Sequence, residues 1–509
     1  MLELVDNFLN KITMYRLVLY VLLGLALTAV LFSSFGLLPY NPVAVLFSVF
    51  FISAVCLITN IVFAKVFKVP ANVESAYITA LILALIITPF SSANSAVFLP
   101  LAFWASVLSM ASKYIFAIGK KHIFNPAAIA VAITAFAFGG SASWWVGTLY
   151  MLPFALLGGF LITRKIQRSD LVLSFIATMI LVIAGSAVMN GSDVFSNVWR
   201  IMSATPLFFF ATVMLTEPLT TPPTRSLRII YGILTGFLFS PMMHIGSIYS
   251  TPELALVVGN IFSYLVSPKE KLILKLKKVR KVANNTYNFE FASNRKINFR
   301  PGQYLEWTVP DDGADSRGNR RYFTIASSPT EKDIIIGVKF YPKPSSFKKR
   351  LIALRPGEEI IASQRAGDFT LPKNKKKKLV FVAGGIGVTP FRSMIQYLLD
   401  KKEKRDIVIM YANNTADDVA YADVLDRARD ELGIRTVYVL TDLQNIPASW
   451  KGRRGRINPE MVLEEIPDLD ERTFYVSGSH SMVSGFENAL KNIGVSDSRV
   501  KKDFFPGFA

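Results

Sequence analysis

Three short stretches carry residue types suited to moving a hydride. The first is Arg320-Arg321-Tyr322-Phe323-Thr324-Ile325-Ala326-Ser327-Ser328-Pro329. A guanidinium fork suits a pyrophosphate. An aromatic beside it can cover a flat conjugated ring, and a hydroxyl one residue on can hydrogen-bond the ring edge. The second is a strand-like run, 379–383, followed by Gly384-Gly385-Ile386-Gly387-Val388-Thr389-Pro390 and a helical pattern to Leu399. Its glycines let the backbone approach a pyrophosphate, and a helix start capped by Thr389 with Pro390 behind it supplies open N–H groups. The spacing is not Gly-x-Gly-x-x-Gly. The third is Thr473-Phe474-Tyr475-Val476-Ser477-Gly478-Ser479-His480-Ser481-Met482-Val483, a strand, a tight turn and a helix, with Asp503-Phe504-Phe505 further on. Each alone also fits an ordinary strand or turn. Together, the first two suit a flavin-type ring and a nucleotide pyrophosphate. No acid–base pair is needed, because hydride chemistry belongs to the cofactors and the protein supplies alignment.

The elements that hold these motifs lie in a chain of uneven composition. Residues 1–268 hold 13 of the 56 Lys+Arg and 7 of the 37 Asp+Glu. Their apolar runs are too many and too long for a soluble core. The net charge of +19 is concentrated in short runs such as 375–378 and 271–281. A basic segment just after a membrane span suits anionic lipid, and no basic stripe with interleaved aromatics points to nucleic acid. The single cysteine, Cys56, excludes a disulfide within the chain and an iron–sulfur cluster. The three histidines, His122, His244 and His480, give no paired ligands for a membrane haem. No metal site is expected. Met1–Arg16 shows no cleavable-signal pattern.

Ten apolar segments can be drawn, at 15–33, 42–64, 73–90, 95–117, 125–138, 143–163, 171–190, 205–216, 227–246 and 252–267. With the N-terminus inside, every Lys and Arg before residue 268 except Arg200 falls on the cytoplasmic side. The expectation is a multi-pass protein of the cell membrane with both termini and the soluble half in the cytoplasm. Segment five opens with Asn125-Pro126 on the inside and segment ten with Thr251-Pro252 on the outside. Capped, proline-initiated short segments in corresponding positions suggest an inverted repeat with broken helices around a central site. Glu253 sits in a first helical turn, where the dipole favours an acid and capping suffices. Glu74 and Glu217 fit either helix-end structure or contact with an ion or flavin.

The first half resembles the RnfD/NqrB family, membrane components of Rnf electron-transport complexes and of the sodium-pumping NADH:quinone oxidoreductase. The resemblance rests on Val73-Glu74-Ser75, 121–128 (Lys-His-Ile-Phe-Asn-Pro-Ala-Ala), Ser143-Trp144-Trp145 and 210–222 (Phe-Ala-Thr-Val-Met-Leu-Thr-Glu-Pro-Leu-Thr-Thr-Pro). It implies flavin held between the repeats and electrons carried across the membrane. The loop that would carry a covalent FMN on Thr is only Gly139-Gly140-Ser141-Ala142 here, and Ser203-Ala204-Thr205-Pro206 lies in another loop. A second flavin, FMN or riboflavin, is therefore expected to be non-covalent and near Asn125.

Residues 271–509 resemble the ferredoxin–NADP reductase-like family, through the three motifs and through Pro301-Gly302-Gln303-Tyr304, Ser345-Ser346-Phe347 and Leu354-Arg355-Pro356-Gly357-Glu358. The resemblance implies a β-barrel FAD domain at 271–373 and an α/β NAD(P)-binding domain at 374–509, after a membrane domain at 1–268. It assigns Arg321, Tyr322, Phe323, Thr324, Ser345 and Ser346 to FAD. Gly384, Gly385, Gly387, Thr389 and Gly478 go to the nucleotide, and Thr324, Ser477, Phe504 and Phe505 lie at the reacting rings. The family has Cys-Gly-Pro where this chain has Ser477-Gly478-Ser479. The expected function is electron transfer from NAD(P)H through FAD and a membrane flavin to a quinone or an extracytoplasmic acceptor. Two alternatives remain: a one-sided NAD(P)H:quinone or flavin reductase, and a flavin or ion transporter with a nucleotide-sensing domain. Arg453 and Arg454 leave NADH against NADPH open. The oligomeric state is not legible.

Overall fold

A computed structural model describes residues 5, 8–9, 12–67, 73–118, 121–240, 242–268, 272–293, 297–310 and 319–504. The chain divides into two units, Met1–Lys269 and Glu270–Ala509.

In the first unit one order of elements occurs twice. Helices Met14–Ser34, Pro42–Val66, Val73–Ile86 and Ser95–Ile115 lead to a hairpin, β1 (Ala117–Ile118) with β2 (Lys121–His122), and then to helix Pro126–Phe138. Helices Leu152–Ile166, Ser169–Met189, Leu207–Phe209 with its π-turn Phe210–Met214, and Arg225–Leu238 lead to a second hairpin. This is β3 (His244–Ile245) with β4 (Ile248–Tyr249), followed by helix Pro252–Val266. Helix Val194–Ala204 is an insertion in the second set.

The ten crossings expected from hydropathy are not what the fold shows. Among the described residues four helices are long and apolar enough to span a bilayer: Met14–Ser34, Pro42–Val66, Ser95–Ile115 and Ser169–Met189. Val73–Ile86, Pro126–Phe138 and Pro252–Val266 are apolar but shorter. The cause is visible at each break. Helix Val73–Ile86 stops where the chain at 144–146 takes its carbonyls: Trp144 N donates to Ile86 O (2.8 Å), Val146 N to Leu85 O (3.2 Å) and Trp145 Nε1 to Ala84 O (3.0 Å). Helix Pro126–Phe138 starts where Asn125 Oδ1 accepts from Ala128 N (3.1 Å), and Pro252–Val266 where Thr251 Oγ1 accepts from Leu254 N (3.4 Å). Apolar sequence continues past such points, so a hydropathy window does not register them.

The second unit contains two sheets. The first has the order β8-β7-β10-β5-β6-β9, with β5 Leu272–Ala283, β6 Thr286–Ser293, β7 Tyr304–Thr308, β8 Arg320–Thr324, β9 Ile334–Lys339 and β10 Glu359–Ala366. It curls around Phe289, Phe291, Trp307 and Phe347, all fully buried. The expected closed barrel is corrected to a partly curled sheet. No ladder joins β8 to β9 among the described residues; just beyond β8, Ala326 N donates to Ile335 O (2.8 Å) and Ile335 N to Ser327 Oγ (3.0 Å) across the gap.

The second sheet is parallel, with the order β14-β13-β12-β11-β15-β16: β11 Lys378–Gly384, β12 Ile407–Asn413, β13 Arg435–Leu440, β14 Arg453–Arg454, β15 Arg472–Gly478 and β16 Val500–Phe504. The chain steps outward from β11 to β14, then returns to β15 on the other side. This creates a switch point between β11 and β15, where doubly wound sheets bind ligands. The two sheets are locked together by Ser393 Oγ donating to Ser327 O (2.7 Å), Tyr475 Oη donating to Thr370 O (2.9 Å) and the Lys339–Asp418 pair (2.7 Å).

Gly232 and Gly236, one turn apart on helix Arg225–Leu238, face helix Ser169–Met189. A Cβ at Gly232 would stand 2.8 Å from Leu171 O, and one at Gly236 would stand 2.6 Å from Phe175 O. Small residues at this spacing let two membrane helices meet backbone to backbone. Gly236→Val should force them apart and destabilise the first unit by roughly 1–3 kcal/mol, read as a lower thermal midpoint by circular dichroism in detergent. Gly185→Ala, whose Cβ would meet nothing within 4 Å, is the control. Equal midpoints for the two variants would contradict the close-packed crossing.

Candidate functional site

The glycine turn of the second unit is built against the neighbouring strand. After β11 the chain winds as a tight 3-10 turn, Gly385–Val388, and runs without a break into helix Thr389–Lys401. A Cβ on Gly387 would lie 2.4 Å from Ser477 O and 2.7 Å from Gly478 Cα, so only glycine allows this approach. Gly385 takes φ +53°, a left-handed conformation natural to glycine. Gly384, Gly385, Gly387, Ser477 and Gly478 thus meet at the switch point. Thr389 is not the expected N-cap. The 3-10 turn already supplies helical geometry, so Thr389 is the first helical residue and its hydroxyl donates to Ile386 O (3.1 Å).

The edge of the curled sheet reaches the same place. A Cβ on Gly337 of β9 would meet Tyr421 Oη at 2.3 Å and Thr389 Cγ2 at 2.9 Å. On β8, Arg321 and Phe323 share the face that carries Phe347: the Arg321 guanidinium lies 5.4 Å from the Phe347 ring centre, and Phe323 lies 5.7 Å from it. Tyr322 points to the other face, where its hydroxyl donates to Glu306 (3.0 Å) and its ring meets Tyr304 edge-on. Thr324 is buried, and its Oγ1 is closed off from solvent with no hydrogen-bond partner among the described residues. A buried hydroxyl without a partner is costly unless something supplies one. The edge of a flavin ring would do so, and the set of residues fits FAD. Ser345 caps helix Ser346–Ile352 by accepting from Lys348 N (3.4 Å).

Two residues of the third stretch that were given no role also join the site. Met482 lies over both Gly384 and Gly478, whose added Cβ atoms would meet its sulfur at 2.8 and 2.6 Å. Asp503 pairs with Ser477 across β15 and β16, one residue before Phe504. Its Oδ2 is enclosed without a partner among the described residues. The side chain of Phe504, and all of Phe505, lie outside the described residues. Arg453 is occupied by Glu464 (2.9 Å) and Glu465 (2.5 Å), which leaves Arg454 as the exposed member of that pair.

A second cluster forms in the first unit, and it is polar and continuous. Asn125 donates through Nδ2 to Glu217 Oε2 (2.9 Å), and its backbone N–H donates to Asn260 Oδ1 (2.7 Å). Asn260 in turn donates to Tyr231 Oη (2.9 Å), and His122 Nε2 lies 2.9 Å from Glu217 Oε1. Beside Asn125 and Glu217 opens a cleft between Met14–Ser34, Val73–Ile86, Leu152–Ile166 and the π-turn. Glu253 does more than cap: it is buried and accepts from Trp144 Nε1 (2.9 Å).

Burial pushes the Asp503 carboxyl up to about 7, against about 3.9 in an unfolded chain. The folded state therefore holds this proton more tightly. The resulting stability is fully present below about pH 4 and is lost as pH rises to about 7. Asp503→Asn should flatten this part of the stability–pH curve by roughly 2–4 kcal/mol, measured by thermal unfolding of the second unit across pH. An unchanged slope would place the carboxylate in contact with solvent.

Two parts of the chain match known family models. Residues 381–488 match the oxidoreductase NAD-binding domain model, and residues 146–271 match the NQR2, RnfD, RnfE family model. NADH-cytochrome b5 reductase 1 of Ajellomyces capsulatus is 27% identical over 251 residues, covering 46% of this chain and 80% of that protein. The glycine betaine monooxygenase reductase component of Pseudomonas aeruginosa is 25% identical over 208 residues, covering 41% of this chain and 56% of that protein. Among solved structures, the Amycolatopsis cytochrome P450 reductase GcoB aligns with a TM-score of 0.42 at 22% identity, over 47% of this chain and 71% of that one. The chain joins a multi-pass membrane region that matches the NQR2, RnfD, RnfE family to a C-terminal region that matches FAD/NAD(P)-binding reductases, and it is a membrane-associated, NAD(P)H-linked flavin oxidoreductase.

Proposed function

We propose that the protein moves electrons from NAD(P)H across the membrane to a quinone or an extracytoplasmic acceptor, with FAD in the second unit and a non-covalent flavin, FMN or riboflavin, in the first. Bound FAD would accept hydride from the nicotinamide and release its electrons singly. The residues' share is binding and alignment. Arg321 holds the FAD pyrophosphate from the face it shares with Phe323, and Thr324 offers its buried hydroxyl to the ring edge. The turn at 384–388 and the N-terminus of helix Thr389–Lys401 receive the nucleotide pyrophosphate. Ser477, Gly478 and the residues after Asp503 border the nicotinamide, and Met482 keeps water from it.

The observation that carries the transmembrane part is the direct bond between helices Pro126–Phe138, at its cap, and Pro252–Val266, Asn125 N to Asn260 Oδ1 at 2.7 Å. It joins the two sets of elements at the polar cluster, where broken helices of transport proteins meet their ligands.

Acid extraction of the purified protein should release FAD, and Arg321→Ala should weaken FAD binding about tenfold or more through loss of a charge-assisted partner. Undiminished FAD affinity in that variant would remove Arg321 from the site. In sealed vesicles supplied with NAD(P)H on the second-unit side only, an impermeant acceptor trapped inside should be reduced. Asn125→Ala should lower the ratio of trapped-acceptor to near-side dye reduction at least about tenfold. Near-side reduction with no reduction inside, in protein shown to retain its flavins, would leave a one-sided reductase.

A further inference from the structure

Helix Val194–Ala204 is the insertion in the second set of elements. It follows helix Ser169–Met189 after four exposed residues, Asn190-Gly191-Ser192-Asp193. At the usual rise, the 21 residues of Ser169–Met189 measure about 31 Å, already the depth of a hydrocarbon core. The chain therefore comes out of the bilayer at Met189. The 11 residues of Val194–Ala204 make a helix of about 16 Å, too short to cross back. This helix is fixed at both ends. Asp193 caps its start by accepting from Ser196 N (2.6 Å). At its end Thr205 Oγ1 donates to Ile201 O (2.6 Å), and a Cβ on Gly147 would stand 2.4 Å from Pro206 N. Its rotation about its own axis is therefore set by the protein.

Around that axis the side chains sort into three rows. The first faces the protein: Ile201 is buried, and Val198 and Met202 pack on the core of the first unit. The second is apolar and uncovered: Phe195 and Trp199, one turn apart, are 76% and 55% exposed. The third is polar and uncovered: Ser196 and Arg200, again one turn apart. Arg200 Nη2 donates to Asn197 Oδ1 (3.2 Å), and Asn197 Nδ2 donates to Asp193 O (2.7 Å). At about 100° per residue the aromatic row lies between the protein-facing row and the Arg200 row. Ser203, near the end of the helix, is buried and spends its hydroxyl on Trp199 O (2.8 Å). The uncovered apolar surface does not stand alone. Val188 and Met189, at the end of the preceding span, are 69% and 87% exposed. The aromatic row continues this lipid-facing surface at the level where the span ends.

We propose that helix Val194–Ala204 is an interfacial anchor that docks on phospholipid. Its axis lies in the plane of the membrane surface. Phe195 and Trp199 sit among the glycerol groups and upper acyl carbons of one leaflet, and Arg200 reaches the phosphates above them. Core on one flank, aromatics below and a cation above are what a helix lying in that boundary presents. An indole suits the level because its body is apolar and its N–H is polar. A guanidinium suits the phosphate because it can donate two parallel, charge-assisted hydrogen bonds. Asp193, at the helix start, stays on the water side, where its carboxylate is solvated while it caps.

The test uses the full chain in phosphatidylcholine vesicles. A fraction of the lipid carries a spin label either near the top of the acyl chain or near its end, and iodide serves as a quencher from water. The signal of Trp199 is the difference between wild type and Trp199→Phe. Trp104, exposed near the middle of helix Ser95–Ile115, is the internal depth standard, read in the same way from Trp104→Phe. We expect the shallow label to quench Trp199 more than the deep one, by about twofold for a ring some 5–10 Å below the surface. Trp104 should show the reverse order. Phe195→Asn should shift Trp199 emission to longer wavelength and open it to iodide, because half of the apolar row is gone. If Trp199→Phe fails to fold, Phe195→Cys carrying a polarity-sensitive dye gives the same depth reading, since Cys56 is buried. Three results overturn the proposal. Trp199 open to iodide and untouched by either label places the helix in water. Trp199 shielded from iodide and untouched by either label means that a second copy or another protein covers it. Stronger quenching by the deep label makes the helix part of a span.

Discussion

A helix that ends inside a bilayer leaves up to four carbonyls or four amides with no water to meet them, and each costs several kcal/mol if nothing else does. The first unit is organised around meeting that demand. The carbonyls at the end of Val73–Ile86 are taken by the backbone and indole of 144–146, and the start of Pro126–Phe138 is closed by the Asn125 side chain. The residues that satisfy these ends are themselves fixed by others far away in sequence. Asn125 is held by Glu217 and Asn260, and Trp144 by Glu253. Trp144 takes a left-handed backbone conformation, φ +53°, which a buried aromatic adopts only when its surroundings hold it there. Polar groups are thereby concentrated where the helices break, and the cleft opens beside them.

The second unit answers a different demand, the close approach of two backbones. Gly387 lies so near Ser477 that any side chain would collide, and Gly337 brings the curled sheet up to Tyr421 and Thr389. Tyr421 is itself left-handed, φ +60°, at the start of helix Ala422–Leu432, and its hydroxyl bonds Asn288 of β6. The parallel sheet and the curled sheet therefore meet through contacts that leave little slack, as a short, directed hydride path requires.

Local features of both units were legible in the sequence, and non-local ones were not. Proline after Asn125 and Thr251 placed two helix starts correctly, because capping is decided by adjacent residues. The strand, glycine turn and helix around Gly385 were equally readable. The ends of helices were not: Val73–Ile86 stops against residues at 144–146, three positions before Pro89, and a hydropathy window runs on past that stop signal. Closure of the curled sheet was misread for the same reason, since β8 and β9 meet only through tertiary packing. The Thr389 cap failed because a 3-10 turn and a true N-cap look alike in a run of glycines. Asp503 and Met482 stand in the third stretch with no role readable there, and their half-buried positions come from strands and helices brought in from elsewhere. The bonds from His122 and Asn125 to Glu217 cross 95 and 92 residues, a distance at which one sequence without its fold says nothing about contact.

The bond between Asn125 and Asn260 spans 135 positions, and this has a bearing on how the protein is made. At about 5–20 residues per second of synthesis, roughly 7–27 s separate the emergence of Asn125 from that of its partner. During that interval the first set of helices is already in the membrane with the Asn125 amide unmet and, until residues 144–146 follow, with the end of Val73–Ile86 uncovered. The nascent first half must therefore wait at the edge of the insertion machinery, or keep water at its broken ends, until the second half arrives. Biogenesis would then be sensitive to translation pauses between codons 125 and 260 in a way that the finished fold is not.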